Sequence, residues 1–374
     1  MRLIVGRTIM SSARHANFNR AVVLSLLMVM MTQVGYLDSM NSLTNGEETL
    51  NESNDVLETG GSSFAYANNK VSASGHLTCA ILDNGDLKCW GDNQFGQLGD
   101  GSNTNTNAPS STAIDLGTGR TAVALSTGYY HTCAILDNGE AKCWGYDNDG
   151  QLGDGGTNTN TNAPSSTAID LGTGRTAVAV SAGSLHTCVI LDNGDAKCWG
   201  SDGIGQLGDG GTNTDTNAPS STAINLGTGR TAVAVSAGTG HTCAILDNGD
   251  LKCWGNNGFG TLGDGTNTLR YAPSATAVDL GTGRTAVAVS AGGLHTCAIL
   301  DNGDLKCWGK DDYGQLGDGG SNSNTNAPSS TAINLGTGRT AVAVSAGEEH
   351  TCAILDNGDM KCWGGDSWGQ LGDG

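Results

Sequence analysis

The stretch CAILDNGDLKCWG runs from Cys79 to Gly91 and recurs along the chain. Close copies begin at Cys133, Cys188, Cys243, Cys297 and Cys352. The spacing is nearly constant at about 55 residues, and self-similarity at a fixed period is the sequence signature of a repeat architecture. The fold of this 374-residue chain is therefore decided by what one such repeat forms.

Each repeat contains four short segments of apolar and β-branched residues, separated by turn residues. In the second repeat these segments are 121–126, 131–136, 141–145 and 164–171. They are too short and too rich in turn residues for helices, so they predict strands. The prolines of the chain all stand at the start of the fourth segment: Pro109, Pro164, Pro219, Pro273 and Pro328. Proline has no N–H and suits an edge strand, so the pattern predicts an all-β fold, a β-propeller of four-stranded blades.

The repeat resembles the regulator of chromosome condensation repeat. The pattern is His-Thr-x-Ala-x-x-x-x-Gly-x-x-x-x-Trp-Gly at 131–145, followed by Gly-Gln-Leu-Gly at 150–153, and it recurs from about residue 70 to residue 374. The resemblance implies a propeller, usually of seven blades. Six repeats are visible here, and the sixth stops at Gly374 before its fourth segment. We therefore expect six blades, with an outer strand supplied from near 55–59, or an incomplete seven-bladed ring.

The chain begins with a basic and then apolar segment. Four arginines and no acid lie within residues 1–20, and an apolar run continues from Ala21 to Val34. This layout predicts a secretory signal peptide over residues 1–37. No small-x-small pair follows Val34, so an uncleaved signal anchor is the main alternative, and a buried core helix is a second one. Residues 38–66 are rich in Asn, Ser, Glu and Gly and predict a disordered linker before a propeller over 67–374.

The cysteines form six pairs, each of which flanks an Asp-Asn-Gly turn. A three-residue turn places Cys133 directly opposite Cys143 in an antiparallel hairpin, where Cα atoms at a non-hydrogen-bonded pair are about 4.5 Å apart. An even count and a secretion signal favour six intra-blade disulfides. The predicted bridges are Cys79 with Cys89, Cys133 with Cys143, Cys188 with Cys198, Cys243 with Cys253, Cys297 with Cys307, and Cys352 with Cys362.

Two alternatives to disulfides exist for these cysteines. Free buried thiols are expected if the chain stays in the cytosol. A zinc site is conceivable because His131 and Cys133 share a strand face with Cys143. However, Cys-x9-Cys lacks the spacing of zinc ribbons and fingers.

A histidine and a tryptophan also recur in the repeats, as His131 and Trp144 do in the second one. An active site would occupy one place in the fold and not every blade. We therefore predict that the shared histidines are structural and donate to backbone at a strand start. The shared tryptophans are predicted to pack between blades.

The composition argues against several classes of function. There are 37 acidic residues and 18 Lys and Arg, a net charge of -19, which opposes binding to nucleic acid or to an anionic membrane. No nucleophile elbow, phosphate-binding loop or His-Glu-x-x-His motif occurs. We expect a protein that is not an enzyme and has no cofactor and no bound metal. Its Asn-rich runs resemble calcium loops in composition, but they lack a closing bidentate acid, so turn chemistry is the better explanation.

Two windows differ most between the repeats, one just before the shared histidine and one just after Trp-Gly. In an up-and-down blade both windows lie on the same face, whereas the invariant Asp-Asn-Gly and Gly-Thr-Gly turns lie on the other. Loops on a rigid scaffold commonly carry binding residues, and exposed aromatic residues commonly anchor interfaces. The predicted binding residues are Phe95, Tyr129, Tyr130, Tyr146, Phe259, Tyr313, Glu348, Glu349 and Trp368. Neutral drift of exposed loops after duplication is the alternative explanation.

These observations predict a secreted or cell-surface propeller, a monomeric scaffold that binds a protein or a glycan. Contact with a membrane is expected only through an uncleaved N-terminal anchor. The resemblance implies a different activity, guanine-nucleotide exchange on a small GTPase, which the signal segment, the cysteine pairs and the acidic charge oppose. Inhibition of a secreted enzyme and a structural role in an envelope are also compatible with an exported propeller.

Overall fold

The structure, a computed structural model, describes residues 70–211, 213–320 and 322–373. The described residues form six three-stranded antiparallel sheets, one per repeat, which we call blades one to six. The described residues contain no helix that is long and apolar enough to cross a membrane. The predictions for residues 1–37 and 38–66, and for an outer strand near 55–59, lie outside the described residues.

The strands follow the repeat. They are β1 (Val71–Ser74), β2 (Leu77–Ile81) and β3 (Leu87–Gly91) in blade one; β4 (Ala122–Thr127), β5 (His131–Leu136) and β6 (Ala141–Gly145) in blade two; β7 (Ala177–Ala182), β8 (His186–Leu191) and β9 (Ala196–Gly200) in blade three; β10 (Ala232–Ala237), β11 (His241–Leu246) and β12 (Leu251–Gly255) in blade four; β13 (Ala286–Ala291), β14 (His295–Leu300) and β15 (Leu305–Gly309) in blade five; β16 (Ala341–Ala346), β17 (His350–Leu355) and β18 (Met360–Gly364) in blade six. The all-β class is confirmed. First strands of successive blades pack against each other, so they lie closest to the centre, and the six sheets do not close into a ring.

The hairpin between the second and third strands of each blade is confirmed in register. In blade two the N–H of Leu136 donates to the carbonyl of Glu140 at 2.8 Å, and Cys133 lies opposite Cys143. Gly139 has φ +79°, the left-handed conformation that this tight turn requires.

All six predicted disulfides are present, with Cα–Cα distances of 4.0 to 4.1 Å. They are Cys79–Cys89, Cys133–Cys143, Cys188–Cys198, Cys243–Cys253, Cys297–Cys307 and Cys352–Cys362. The described part of the chain holds no free cysteine. Bridged sulfurs are not available as thiolate ligands, so the zinc alternative is wrong for these pairs.

The fourth segment does not form the ladder strand that was predicted. In blade two it is tied to the sheet by one backbone bond, from Ile169 N–H to Ala141 O at 3.0 Å. An isolated bridge between Gly145 and Thr161 lies ahead of Pro164. The ladder fails here because Pro164 lacks an N–H and Ser165 closes a local turn by accepting from Thr167 N–H at 3.1 Å.

The outer segment is instead fixed by the next blade. The buried ammonium group of Lys197 in blade three donates to the carbonyl of Leu171 in blade two at 3.0 Å. The lysines at this position in the other later blades make the corresponding bond: Lys142, Lys252, Lys306 and Lys361. A buried charge needs a partner, so this bond both satisfies the lysine and joins neighbouring repeats.

The shared tryptophans join the blades, as predicted. Trp199 is fully buried, and its Nε1–H donates to the carbonyl of Gln151 in the preceding blade at 3.0 Å. It packs with Ile135 and Leu152 of blade two in one core cluster. A Cβ at Gly153 would lie 2.3 Å from Trp199 Nε1, so only glycine allows this approach. Corresponding bonds are made by Trp144, Trp254, Trp308 and Trp363.

The shared histidines also join the blades. His131 Nε2 lies 2.8 Å from Thr187 Oγ1 of the next blade, and that hydroxyl donates to Gln151 O at 2.8 Å. The threonine proton is therefore used, so His131 is protonated on Nε2 and donates to the hydroxyl. The same pairing is made by His186, His241 and His295. The sequence predicted a structural histidine donating to backbone; the structural role holds, but the acceptor is a threonine.

Candidate functional site: the variable face

The two variable windows of each repeat lie side by side at one end of the blade. In blade two the N–H of Tyr146, just after Trp-Gly, donates to the carbonyl of Tyr130, just before the histidine, at 3.0 Å. The corresponding bond occurs in all six blades. At the other end Asp137 N–H donates to Thr121 O at 2.9 Å, next to the Asp-Asn-Gly turn. We call the end that carries both windows the variable face.

Four of the predicted binding residues come together where blades one and two meet. Their ring centroids are 4.9 Å apart for Phe95 and Tyr146, 5.2 Å for Phe95 and Tyr130, 4.8 Å for Tyr129 and Tyr130, and 5.8 Å for Tyr130 and Tyr146. All four side chains are half-buried. We call Phe95, Tyr129, Tyr130 and Tyr146 the aromatic cluster. His76, which was not among the predicted residues, extends it with an edge contact to Tyr129 at 6.3 Å.

The cluster combines apolar rings with polar edges. Rings at these distances, mostly edge-to-face, stabilise each other beyond the area they bury. Burial raises the pKa of the Tyr129 phenol, and the negative charge of Glu348 in blade six raises it further. Glu348 therefore lies within electrostatic reach of the cluster, although blades two and six are far apart in sequence. A partly buried, preorganised group of rings is suited to packing against an apolar side chain of a partner.

A second group lies between blades four and five. The ammonium of Lys310 is 5.3 Å from the centroid of the Tyr313 ring and 5.8 Å from that of Phe259, within the range of cation–π contacts. Lys310 also pairs with Asp312 at 3.4 Å. Tyr313 is 46% exposed. Beside this group lies a cleft of about 360 Å³, lined by Phe259, Asn267, Asn324, Thr325, Asn326 and Ala327.

The remaining predicted residues lie in blade six. Trp368 is 77% exposed, and Glu348 is exposed beside the half-buried Glu349. The structure thus gathers the predicted residues in three groups, and Glu348 of the third lies within electrostatic reach of Tyr129 in the first. Lys310 and His76 were not predicted, because only aromatic and acidic residues of the variable windows were taken as candidates. Their positions inside these windows were the available signal.

The buried histidines have no access to a ligand on this face. Burial lowers the pKa of His131 to about 3 and that of His241 to about 4. Both are neutral at physiological pH and are engaged with the next blade through Nε2. These histidines serve the contacts between blades. The variable face offers aromatic, carboxylate and amide groups for binding, together with the ammonium group of Lys310.

Comparison with known proteins agrees with this architecture. Ultraviolet-B receptor UVR8 of Arabidopsis thaliana is 31% identical over 304 residues, which are 81% of this chain and 66% of the receptor. E3 ubiquitin-protein ligase HERC2 of Homo sapiens is 28% identical over 295 residues, 79% of this chain but 6% of the ligase. The chain thus spans less than two thirds of these relatives.

Solved structures show the same fold. Yeast RCC1 (Prp20), determined bound to Kap60, superposes with a TM-score of 0.68 at 22% identity, covering 81% of this chain and 72% of that one. Human WBSCR16 superposes with a TM-score of 0.65 at 22% identity, covering 76% and 71%. The RCC1-like domain profile matches residues 33–374. The chain therefore belongs to the RCC1-like domain family of β-propellers.

Proposed function

We propose that this chain is a non-enzymatic propeller that binds a partner protein through its variable face, outside the cell or on the cell surface. The observation that carries the proposal is the aromatic cluster. It brings four rings from two blades into mutual contact, and at the positions of Tyr129 and Tyr130 the later repeats hold no aromatic residue, for example Ser184, Leu185, Thr239 and Gly240. Since the rest of the repeat is nearly invariant, this local difference is the best candidate for a selected contact.

The charges around the cluster indicate the chemistry of the partner. Carboxylates occur within the variable windows of blades one, two and six, at Asp92, Asp149, Glu348 and Glu349. Burial raises the pKa of Asp149, and the charge of Asp215 raises it further. A cationic side chain from a partner would relieve this repulsion. We expect a protein surface that presents an apolar anchor flanked by Lys or Arg.

Relatives support a protein partner as the class of ligand. One solved structure shows yeast Prp20 bound to Kap60, and a second structure of Prp20 was reported with its binding properties to Gsp1p and histones. The disulfides support an oxidising location, because such bonds persist outside the cytosol and nucleus. An oxidised, exported chain would not meet the GTPase of an exchange factor, so binding outside the cell is the simpler function.

The experiment compares three forms of the oxidised chain. They are the wild type, Tyr130→Ser with Tyr146→Ser in the aromatic cluster, and Arg175→Ser at the opposite end of the propeller, where Arg175 forms an exposed ion pair with Asp192. Each form is immobilised and exposed to surface and secreted proteins of the host. Any protein captured by the wild type is purified, and its affinity for all three forms is measured by calorimetry.

The proposal expects at least tenfold weaker binding for the cluster variant and a change of less than twofold for Arg175→Ser. Tenfold is about 1.4 kcal/mol, modest for an interface anchor. Equal affinity for the wild type and the cluster variant would contradict the site. Binding only to glycans on a carbohydrate array, with no purified protein bound, would contradict the class of partner.

A further inference from the structure

The residue three positions after each shared tryptophan differs between asparagine and aspartate in the first five blades. It is asparagine in blades one and four, at Asn93 and Asn257, and aspartate in blades two, three and five, at Asp147, Asp202 and Asp311. All five side chains are at most 1% exposed. In every case Oδ1 accepts the backbone N–H five residues later: Leu98, Leu152, Leu207, Leu262 and Leu316. The two types of blade differ in the other terminal atom of this side chain, which is Nδ2 in asparagine and Oδ2 in aspartate.

In the asparagine blades the second atom is an N–H₂ group surrounded by oxygens. Asn93 Nδ2 lies 3.3 Å from Asp100 Oδ1, 3.0 Å from Ser102 O, 3.2 Å from Ser102 Oγ and 3.3 Å from Thr104 O. Asn257 Nδ2 has the corresponding set at 3.1, 3.0, 3.3 and 3.1 Å. The loop therefore forms a cage of oxygen atoms around a group that carries partial positive charge.

In the aspartate blades an oxygen stands where that N–H₂ group would be. Asp147 Oδ2 and Asp202 Oδ2 are buried and have no hydrogen-bond donor in the described part of the chain. A second acid follows seven residues later, at Asp154 and Asp209, in the place that Asp100 holds in blade one. Burial raises the pKa of both Asp147 and Asp202 to about 6, and the nearby acids add to the shift. A buried, unpartnered carboxylate is costly unless a positive charge compensates for it.

The loop changes together with the side chain. The bridge that closes it joins Gly91 to Thr106 in blade one but Gly145 to Thr161 in blade two, which is one residue longer. The longer loops contain an asparagine with positive φ: Asn158 at 51°, Asn213 at 48° and Asn322 at 51°. Asparagine thus goes with the short loop and aspartate with the long loop in all five blades. This pairing is expected if the long loop encloses both a carboxylate oxygen and a bound ion, which together need more room than the amide group of asparagine.

We propose that the loops after the third strand in blades two, three and five each bind a calcium ion. The ligands are Oδ2 of Asp147, Asp202 or Asp311, the carboxylate seven residues later, and neutral oxygens of described residues in the same loop. Blade five is included because Asp311 shares the burial, the backbone bond and the loop length of the other two. Calcium accepts six to eight oxygen ligands in irregular geometry, whereas magnesium requires a near-ideal octahedron and retains its waters. In the described residues no three His, Cys, Asp or Glu side chains cluster as metal ligands, so most ligands have to be carbonyl, hydroxyl or water oxygens.

This proposal departs from the expectation of no bound metal. The expectation of no metal was based on the Asn-rich run, which lacks the bidentate acid that ends a helix-loop-helix calcium site. Here the acids stand at the start of the loop and seven residues into it, before the Asn-rich run. The signal in the sequence was the unequal spacing of the shared cysteines. The intervals from Cys79 to Cys133 and from Cys243 to Cys297 are one residue shorter than the rest, and each contains the loop of an asparagine blade.

The test measures calcium binding to the oxidised full-length chain after treatment with EDTA and desalting. Isothermal titration with CaCl₂ at neutral pH gives the stoichiometry, up to about 5 mM, above the dissociation constants of 10⁻⁴–10⁻³ M typical of extracellular calcium modules. Asp147→Asn is compared with Asp147→Asn/Asp202→Asn/Asp311→Asn. Glu140→Gln, an exposed acid at the opposite end of blade two, is the charge-matched control. The asparagine variants should fold, because blades one and four hold asparagine at this position.

The proposal expects about three calcium ions per chain for the wild type and for Glu140→Gln, two for Asp147→Asn and none for the triple variant. Calcium should raise the melting temperature of the wild type and leave that of the triple variant unchanged. Absence of calcium binding by the folded wild type would overturn the proposal, and so would undiminished binding by the folded triple variant. Equal affinity for magnesium would overturn the choice of calcium. If the wild type does not bind calcium and Asp147→Asn raises its stability, the carboxyl of Asp147 is protonated in the folded chain and the proposal is wrong.

Discussion

Replacing one buried histidine should make the propeller more resistant to acid. His186 is fully buried, its Nε2 donates to Thr242 Oγ1 at 2.8 Å, and its Nδ1 has no partner in the described part of the chain. Burial, and secondarily the repulsion from His131 and His241 when these are protonated, lowers its pKa to about 3. In the unfolded chain the pKa returns to about 6.5. Neutral His186 therefore contributes stability above pH 6.5 that is lost as the pH falls towards 3.

The magnitude follows from the two pKa values. Between pH 7.5 and 5.0, protonation of the unfolded histidine lowers the free energy of unfolding by about 2 kcal/mol. Glutamine reaches the same position with a neutral N–H donor and does not titrate. Over this range His186→Gln should therefore lose about 2 kcal/mol less than the wild type, whatever its stability at pH 7.5. The carboxyls of Asp147 and Asp202, whose pKa values are raised, change in the opposite direction, but they do so equally in both proteins.

The assay is guanidinium unfolding of the oxidised chains at pH 7.5 and 5.0, followed by tryptophan fluorescence, with EDTA present throughout. His350→Gln is the matched control, because His350 is only half-buried and its replacement should have a smaller effect. Because a repeat array can unfold in steps, the transition that involves blades three and four is the one to compare. An equal loss of stability on acidification in the wild type and in His186→Gln would refute the pKa argument.

Three further predictions concern the contacts between and within blades. Trp199→Phe should lower the free energy of unfolding by about 1–3 kcal/mol, because it removes one of the two donors to Gln151 O, the other being Thr187 Oγ1, and puts a smaller ring in a fully buried site. Trp90→Phe, at a half-buried position, should cost less, and denaturant unfolding measures both. Gly153→Ala and Gly155→Ala both place alanine at φ near +70°, but a Cβ at Gly153 meets Trp199 and one at Gly155 meets nothing within 4 Å. Gly155→Ala should therefore cost about 1–2 kcal/mol and Gly153→Ala clearly more; equal melting temperatures would contradict the close packing. Cys188→Ala with Cys198→Ala should lower the melting temperature under non-reducing conditions, with a loss of up to about 3 kcal/mol in the chain-entropy model, and no loss would mean that the hairpin already constrains its own ends.

The pairing of the second and third strands in each blade was predictable because all six repeats carry the same turn and the same flanking residues. The Asp-Asn-Gly turn fixes the register of the hairpin, so the opposition of Cys133 and Cys143 followed from residue counting and was confirmed. The inter-blade role of the tryptophans was also predictable, since a large apolar residue present in every repeat has to pack on something that is present in every repeat. The aromatic cluster was predictable only as a set of candidates. Its contacts depend on how the loops of blades one and two meet, which repeat spacing does not determine.

Two of the features that the sequence did not predict depend on side-chain bonds between repeats. The segment 164–171 has the composition of a strand, but it is held by Lys197 of the next blade rather than by a ladder. His131 was expected to donate to backbone because its partner Thr187, in the next repeat, is not visible from one repeat alone. Asp147 and Asn93 lie in the window after Trp-Gly, which the sequence presented as a variable surface loop, although both are buried at the same place in two different loops. The partners of the outer segment and of His131 are fixed by blade packing and not by local sequence, whereas Asp147 and Asn93 are buried by the fold of their own loops.

The measurement that tests the central claim most directly is the intact mass of the protein from its native host, before and after reduction. An exported, oxidised propeller should lack a segment within residues 1–37, or retain it as an anchor in the membrane fraction. Its mass should rise on reduction by the twelve hydrogens of six disulfides, which join the twelve cysteines of the chain. A full-length chain from the soluble cytosolic fraction, with no change in mass on reduction, would contradict the claim and would favour an intracellular role such as nucleotide exchange.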